Sequence, residues 1–555
     1  MTSLQDEKAH TIIKEQERAA GLRGQWEQIW EQIARRILTS YVMQFSGQNR
    51  AQPYPGQQYT EEMVDATGAN ALVRFGAVME SMLTPRGSVW HYLEPSDPVL
   101  MKDRAARLWF EEATRILFRL RYAPSANYAS QKHEDYLMLG AFGTGSIFID
   151  QLKSKRERGL RYRAVHLGQN YFLENHQGLI DTNYRKFFYT ARQAVQHFGA
   201  EALPAKIVED AKDGVKSQNI HWFIHKVAPR PENEYDPERV DEAGMPFYEC
   251  YVSLTEKKVV QEGGFFTFPY SISRYMTTPG EIYGRSPAMF ALPSLKTLNE
   301  IKKTLLKQGH RSADPILLTH DDGVLDSISI RPGALISGGV SSDGKPLVHP
   351  LPIGNPIAGK DQADEERQVI NDFFLVTLFQ ILVETPQMTA TEVIERAREK
   401  GALLSPTMGR QQSEALGPQI EREIDLAVRM KLLPPMPPAL VEAKGEYQIR
   451  YDSPLSRMAR AEEASGGLRT IETALNIAEK TQNMAPLDHF DWDVIIPELG
   501  DINGMPVSWR NSMQKVEQLR KERSQQMDTQ QMIEAAPAAS AMLKTMMPKQ
   551  PVGTA

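Results

Sequence analysis

Residues 287–311 read PAMFALPSLKTLNEIKKTLLKQGHR, and this stretch decides the fold. It predicts a long α-helix, because apolar residues recur along one face: Leu295, Leu298, Ile301 and Leu305. Four cations crowd the rest of the helix: Lys302, Lys303, Lys307 and Arg311. Such a run is usually only the solvated side of a helix. The alternative is that copies of the chain surround an axis and present bands of positive charge to phosphates.

A second long helix is predicted downstream, from Asp361 to Glu384. Asp364, Glu365 and Glu366 fall in its first turns, where the helix dipole favours negative charge. Between the two helices, residues 313–352 contain short strand candidates separated by glycine-containing turns. Two long helices therefore bracket a small β-rich segment.

The rest of the chain divides into helical and strand-rich parts. The N-terminal quarter is predicted to be mostly helical, and its first helix has an apolar stripe that includes Trp26 and Ile37. Residues 146–279 show the short alternating runs that are typical of β-strands. Helical patterns return at 391–400 and 411–431. The predicted fold class is α+β, mostly helical.

The composition limits the classes of function. The chain has 555 residues, of which 41% are hydrophobic, and this is enough for sizeable cores. Its formal net charge of −6 gives no overall attraction to nucleic acid or to anionic membranes. The single cysteine, Cys250, rules out an intramolecular disulfide and fits a reducing cytoplasm. The N-terminus lacks signal-peptide character, and the most apolar helical stretch, 373–383, is too short to span a membrane.

One string has the spacing of an enzyme motif. Gly354-Asn-Pro-Ile-Ala-Gly-Lys-Asp361 matches a phosphate-binding P-loop up to its last position. That position holds a carboxylate instead of the hydroxyl that reaches magnesium, and Pro356 removes a backbone donor. We therefore interpret the string as a linker into a helix that Asp361 caps.

Three other motifs also favour a structural interpretation. The glycines in Gly140–Gly145 follow a predicted helix and precede a strand, which is the reverse of the order in anion sites, so they predict a tight turn. His133-Glu134-Asp135 lacks the paired histidines of a zinc helix. Ser146 is not part of a nucleophile elbow, because Phe148 occupies the position that needs glycine. The sequence predicts no catalytic residue, no metal site and no cofactor.

Five strings occur in order along the chain: Met82-Leu-Thr-Pro-Arg-Gly-Ser-Val-Trp90, Gly140-Ala-Phe-Gly-Thr-Gly-Ser146, Tyr283-Gly-Arg-Ser-Pro287, Met388-Thr-Ala-Thr-Glu-Val393 and Ser453-Pro-Leu-Ser-Arg457. In this order and spacing they resemble the portal, or head-to-tail connector, family of short-tailed bacteriophages. The likeness extends from about residue 10 to residue 510.

This resemblance implies a portal fold with wing, stem, clip and C-terminal crown, assembled as a dodecameric ring. The order along the chain assigns the segments as follows: N-terminal wing 1–286, first stem helix 287–312, clip and connecting linker 313–360, second stem helix 361–384, tunnel loop and C-terminal wing helices 385–507, and crown or flexible tail 508–555.

The resemblance also implies a structural function without enzymatic activity. The ring would occupy one capsid vertex of the virion, nucleate head assembly in the host bacterial cytoplasm, and pass double-stranded DNA during packaging and ejection. The implied partners are capsid and scaffolding proteins, the terminase large subunit and later the tail adaptor proteins, with no membrane. The acidic charge balance of the chain agrees with a conduit that must pass DNA without holding it.

The resemblance places two groups of residues at the DNA path. The basic residues Lys302, Lys303, Lys307 and Arg311 would line the channel in the stem, and Thr385, Gln387 and Met388 would belong to the tunnel loop. That loop contains no cation, so contact with DNA there would come from Gln387 or Met388. Two alternatives remain open: another head-tail or tail component such as an adaptor, and a nucleotide-dependent enzyme that binds ATP through Lys360.

Overall fold

The computed structural model describes residues 2–45, 62–101, 103–152, 158–239, 241–319, 340–351, 356–376, 406–443, 445–452, 454–483, 485–502, 505, 509–511 and 515–526. The chain divides into two compact units. The first comprises Met1–Trp90, Ile116–Leu433 and Ser453–Leu455, and the second comprises His91–Arg115, Pro434–Asp452 and Ser456–Ala555.

Helices and strands follow one another in short runs along the described residues. The α-helices are α1 (Thr2–Leu22), α2 (Gly24–Ile37), α3 (Thr67–Leu83), α4 (Arg104–Arg121), α5 (Tyr128–Phe142), α6 (Ala191–Phe198), α7 (Ala205–Lys212), α8 (Pro287–Ala313), α9 (Pro356–Phe373), α10 (Gly417–Arg429), α11 (Pro438–Glu442), α12 (Pro454–Thr481) and α13 (Trp492–Ile502). The strands are β1 (His91–Pro95), β2 (Thr144–Gln151), β3 (Leu160–Ala164), β4 (Asn170–Glu174), β5 (Ile180–Thr190), β6 (Ile220–Pro229), β7 (Phe247–Ser253), β8 (Lys258–Phe265), β9 (Tyr270–Arg274), β10 (Leu317–Thr319), β11 (Val348–Pro350) and β12 (Tyr447–Tyr451).

A five-stranded antiparallel sheet in the order β4-β5-β6-β7-β8 forms the largest β-structure of the first unit. Adjacent residues of a strand point to opposite faces of a sheet, so Ile224 and Val252 face one side while Phe223 and Tyr251 face the other. Helix α1 covers the first face, and α6 and α7 cover the second. The sheet is therefore buried on both sides, and the strand-rich segment predicted at 146–279 is confirmed.

A helical layer built from α2, α3, α5 and α8 lies in the same unit. Trp30 of α2 is fully buried and donates its indole N–H to the carbonyl oxygen of Phe142 at 3.1 Å. Gly140 of α5 lies so close to α3 that an added Cβ would come within 2.7 Å of Leu72 and Phe75. Small and large residues at matched positions therefore allow these helices to pack tightly.

A buried ion pair attaches α10 to the end of α4. The guanidinium of Arg121 and the carboxylate of Glu423 are both fully buried. Burial opposes the charge of Arg121, but Glu423 outweighs it and raises the arginine's pKa. The Tyr162 hydroxyl and the Gln419 amide donate to the same carboxylate at 2.7 and 2.8 Å. Because the guanidinium and two further donors all bind this buried carboxylate, the pair fixes the position of α10.

The second unit is smaller and contains a two-stranded antiparallel sheet of β1 and β12. Thr114 accepts the backbone N–H of Leu93 at 3.1 Å, which connects β1 to α4. The indole of Trp109 donates to the carbonyl oxygen of Pro434 at 3.0 Å. Segments that are far apart in sequence thus form one unit.

The predicted fold class is confirmed, because the chain mixes helices and antiparallel sheets. The long helix predicted at 287–311 is found as α8 (Pro287–Ala313). The predicted first helix is divided in two, because α1 and α2 are separated at Arg23.

The interpretation of Asp361 as a helix cap is wrong. Helix α9 begins at Pro356, so Asp361 lies in its second turn. Proline fixes φ near the helical value and needs no N–H partner in the first turn, which explains the earlier start. Gly359 and Lys360 are helical too, so no phosphate loop forms at these two residues.

Candidate functional site

Two of the strings quoted above meet where α8 begins. Gly143 ends α5 with a φ of 76°, a conformation that L side chains rarely adopt. A Cβ at Gly143 would overlap the carbonyl oxygen of Gly284, and a Cβ at Gly284 would overlap that of Gly143. The backbone N–H of Gly284 donates to Thr144 Oγ1 at 2.9 Å. Both glycines are therefore required for this close approach, and Gly143 provides the predicted tight turn.

Ser286 sets the first residue of α8. Its hydroxyl accepts the backbone N–H of Met289 at 3.0 Å, which satisfies a free donor of the first turn. The same hydroxyl donates to the carbonyl oxygen of Ala141 in α5 at 2.8 Å. Pro287 follows at the first helical position, where proline is favoured. Ser286 therefore caps the first turn of α8 and also attaches it to α5.

Helices α8 and α9 form an antiparallel hairpin. Gly359 lies beside Leu305, and a Cβ at Gly359 would come within 3.0 Å of Leu305 Cδ2. At the opposite end, the rings of Phe290 and Phe373 stack with their centroids 6.4 Å apart. The two helices therefore stay in contact from one end of α9 to the other.

A polar network fixes the hairpin to the segment that precedes α3. Asn299 of α8 is buried, and its side-chain oxygen accepts the backbone N–H groups of Val64 and Asp65 at 2.8 and 2.9 Å. Arg367 of α9 forms an ion pair with Asp65 at 2.7 Å. Burial opposes ionisation of Asp65, but hydrogen bonds from Thr67 and Arg367 outweigh it and lower the pKa of this carboxyl. Both helices are therefore attached to the same segment.

The hairpin has charges of opposite sign on its two sides. We call one set the basic flank; it is the exposed side of α8 that carries Lys296, Lys303, Lys307 and Arg311. We call the other set the acidic flank; it is the exposed side of α9 that carries Asp361, Glu365 and Asp372. Side chains spaced by three, four, seven or eleven residues lie on one face of a helix, which is why each set is contiguous.

The predicted channel residues fall into three groups. Lys303, Lys307 and Arg311 share the basic flank. Lys302 and Lys303 are both half-buried, but Lys302 lies roughly 100° around the helix from Lys303, on the side of the buried stripe that contains Leu295. The third group, the tunnel-loop residues Thr385, Gln387 and Met388, lies outside the described residues.

Two residues of this site, Lys296 and Asn299, were not predicted from the sequence. Lys296 belongs to the basic flank, and the signal was present, because Lys296 precedes Lys303 by two helical turns. Asn299 interrupts an otherwise apolar face. A polar residue in such a stripe indicates a buried hydrogen bond, although its partners at Val64 and Asp65 could not be identified from sequence.

The residues of the rejected metal motif all have structural partners. His133 Nδ1 lies 3.2 Å from a carboxylate oxygen of Glu80. Asp135 is buried, accepts from Lys132 at 2.8 Å and from Ser273 at 3.1 Å, and so supports the α5–β2 turn. Among the described residues, no group of three histidine, cysteine or acidic side chains has the arrangement of a metal site. Within the same residues, no helix is long and apolar enough to cross a membrane.

Comparisons with known proteins agree over nearly the whole chain. Residues 9–510 match the family model described as bacteriophage head to tail connecting protein. The chain is 27% identical over 516 residues to the probable portal protein of Bordetella phage BPP-1, and the aligned region covers 92% of this chain and 90% of the relative. It is 26% identical over 494 residues to the portal protein of Salmonella phage epsilon15, and the aligned region covers 87% of this chain and 86% of the relative.

Proposed function

The chain belongs to the bacteriophage head-to-tail connecting protein family, and from this membership we propose that it is a portal protein. It forms the ring-shaped channel at one capsid vertex through which double-stranded DNA enters during packaging and leaves during ejection. The observation that carries this proposal is the family match over residues 9–510, together with two relatives named portal proteins over most of their length.

The assembly we propose is a closed ring of about twelve copies. In this ring α8 and α9 belong to the stem, residues 313–360 include the clip, and the α+β body up to residue 286 is the wing. The junction of Gly143 and Gly284 supports this division, because it holds the start of the hairpin rigidly on the body. Residues 385–507 supply the tunnel loop and the C-terminal wing helices, and residues 508–555 form the crown or tail.

The partners we propose follow the order of virion assembly. Capsid and scaffolding proteins surround the ring when it nucleates the head in the host cytoplasm. The terminase large subunit docks on the clip during packaging, and tail adaptor proteins replace it afterwards. In this scheme the chain itself carries out no catalysis, and the energy for DNA movement comes from the terminase.

Contact with DNA is proposed to be sparse and independent of sequence. Lys302, Lys303, Lys307 and Arg311 of α8 border the channel, and Gln387 or Met388 contacts DNA at the tunnel loop. The net charge of −6 supports a conduit that does not retain DNA, because a broadly cationic wall would bind phosphates too firmly.

The mass of the assembled protein tests the proposal. Twelve copies of the 62.7 kDa chain give about 750 kDa, which native mass spectrometry resolves from neighbouring ring sizes. Rings of twelve or thirteen copies are the expected result. A monomer or dimer that persists across salt and protein concentration would contradict the portal function and favour an adaptor that assembles only on an existing ring.

A further inference from the structure

We propose that the basic flank of one copy docks against the acidic flank of the next copy, so that charge pairing between hairpins closes the ring. This inference rests on the proposed ring and identifies the surface by which a second copy is recognised. It concerns Lys296, Lys303 and Lys307 on one copy and Asp361, Glu365 and Asp372 on its neighbour.

The contacts between α8 and α9 show the direction in which each flank points. The contacts of Phe290 and Leu305 define the side of α8 that faces α9, and the three lysines lie roughly 130° to 170° around the helix from that side. On α9, the acidic residues lie roughly 100° to 140° from the side that faces α8. The basic and acidic flanks therefore point outward on opposite sides of the hairpin.

Basic and acidic residues occur at matching heights along the hairpin. Leu305 is level with Gly359 and Phe290 is level with Phe373, so Lys303 is level with Asp361 in this antiparallel pair. The proposal takes the ring axis to run along the hairpin, and rotation about such an axis leaves height unchanged. With this axis, Lys303 of one copy meets Asp361 of the next, one helical turn from Glu365.

The charges of each flank are only partly compensated within one chain. Glu300 lies on the same face as the three lysines, pairs with Lys303 at 2.8 Å and also attracts Lys307, but this single exposed carboxylate stands among several cations. Lys296, Lys307, Asp361 and Glu365 are exposed, and the described part of the chain places no oppositely charged group within ion-pair distance of them. Like charges four residues apart on a helix repel each other. A neighbour of opposite charge would relieve the repulsion on both flanks.

The symmetry of an assembly determines which flanks of two copies can meet. In a two-fold dimer, the same patch of both copies meets itself, so a dimer through either flank would oppose charges of the same sign. A head-to-tail arrangement places opposite charges together at every contact. The charge distribution of the hairpin therefore favours a cyclic ring over a two-fold dimer.

The pairing also affects the DNA path. Lysines at the boundary between two hairpins border the channel, but a carboxylate from the next copy partly neutralises them. This weakens their attraction for phosphates without removing it. Arg311 has no counterpart at its height among the three acidic residues. Lys302 lies within one residue of the height of Asp361, but it points about 100° away from Lys303 and the basic flank. These two residues therefore contribute most of the free positive charge.

Complementary charge reversals test the pairing between copies. The basic-flank variant is Lys303→Glu/Lys307→Glu, and the acidic-flank variant is Asp361→Lys/Glu365→Lys. Alone, each variant places like charges together at every boundary, and we expect the concentration for half-maximal ring assembly to rise by about tenfold or more. Mixed in equal amounts, the two variants restore opposite charges at each boundary of an alternating ring.

Native mass spectrometry separates the outcomes. Rings formed only from the mixture would support the inference if they contain the two variants in equal numbers, or in numbers that differ by one in a ring of thirteen, because pairing within one chain cannot be rescued by mixing. The control Lys257→Glu/Lys258→Glu makes the same charge change at two exposed residues, the last of the turn after β7 and the first of β8, and should assemble like the unaltered protein.

Two results would overturn the inference. One is normal assembly of either flank variant alone. The other is failure of the mixture to form rings although both variants keep the circular dichroism spectrum and melting temperature of the unaltered chain. If the unaltered chain forms no ring, the proposed function fails instead, so the two failures are distinguishable.

Discussion

Gly143 and Gly284 illustrate, at the residue scale, why glycine occurs at two distant positions. The backbone of the α5–β2 turn passes against the backbone that precedes α8, and each carbonyl oxygen occupies the space that the other residue's Cβ would need. Gly143 also has a positive φ. Steric exclusion and backbone conformation therefore both select glycine at Gly143, whereas steric exclusion alone does so at Gly284.

Replacement of Gly143 tests this account. Gly143→Ala should lower the free energy of unfolding by about 1–3 kcal/mol more than Gly178→Ala, because only the former overlaps another backbone. Gly178 is a matched control with a φ of 77° and open space around it, so its substitution reports the backbone strain alone. Urea denaturation of both variants measures the difference. Equal losses of stability would show that the close approach to Gly284 is unimportant.

The α8–α9 hairpin depends, at the scale of elements, on contacts with the chain before α3. Asn299 holds one helix through two backbone N–H groups, and Arg367 holds the other through Asp65. An ionised Asp65 is needed for the second attachment. The hairpin should therefore become less firmly attached when this carboxyl is protonated.

The pH dependence of stability tests this attachment. The pKa of Asp65 in the folded chain lies below its ordinary value of 3.8. The stability that the ionised carboxylate contributes is therefore fully present above pH 3.8 and is lost as the pH falls through the lower pKa of the folded chain. The stability difference between the unaltered chain and Asp65→Asn should therefore be constant near neutrality and shrink in acid. Urea midpoints across a pH series provide the measurement.

An Arg367→Gln background serves as the control for this experiment. Without the guanidinium, the ionised form of Asp65 loses one of its hydrogen bonds and its ion pair. The effect of Asp65→Asn should then vary less with pH. If the effect of Asp65→Asn on stability depends on pH equally with Arg367 and with Gln at position 367, Arg367 does not stabilise the carboxylate.

At the scale of the whole molecule, the proposed ring must contact DNA without retaining it. The chain is acidic in total, and its cations on α8 are confined to a few side chains. If Arg311 and Lys302 supply free positive charge to the channel, their removal should change DNA retention without changing assembly.

Particles that contain Lys302→Ala/Arg311→Ala test this division of roles. We expect rings of unaltered mass and DNA retention that is less sensitive to salt, since each lost phosphate contact reduces the salt slope by about 0.9. The control is Lys257→Ala/Lys258→Ala, which removes the same charge at the start of β8, outside α8. Retention that matches the control at every salt concentration would exclude these two residues from the DNA path.

The sequence by itself determined the α+β class, the long basic helix α8 and the acidic character of α9. These properties depend on local periodicity and turn chemistry, which a single chain segment already contains. The five short strings also identified the family before any contact was known. The start of α9 at Pro356 was not obtained correctly, because the prediction gave Asp361 as cap more weight than the proline at a first helical position.

Only the tertiary structure decided which charges share a surface and which residues hold the hairpin in place. Helix geometry alone separates Lys302 from Lys303 by about 100°, but only the contact of Leu305 with Gly359 shows which side of α8 faces α9, and hence that Lys303 and Lys307 share an outward flank. The partners of Asn299 and Arg367 lie more than two hundred residues away in the chain. Such pairings depend on how distant segments pack, and local periodicity carries no information about that choice.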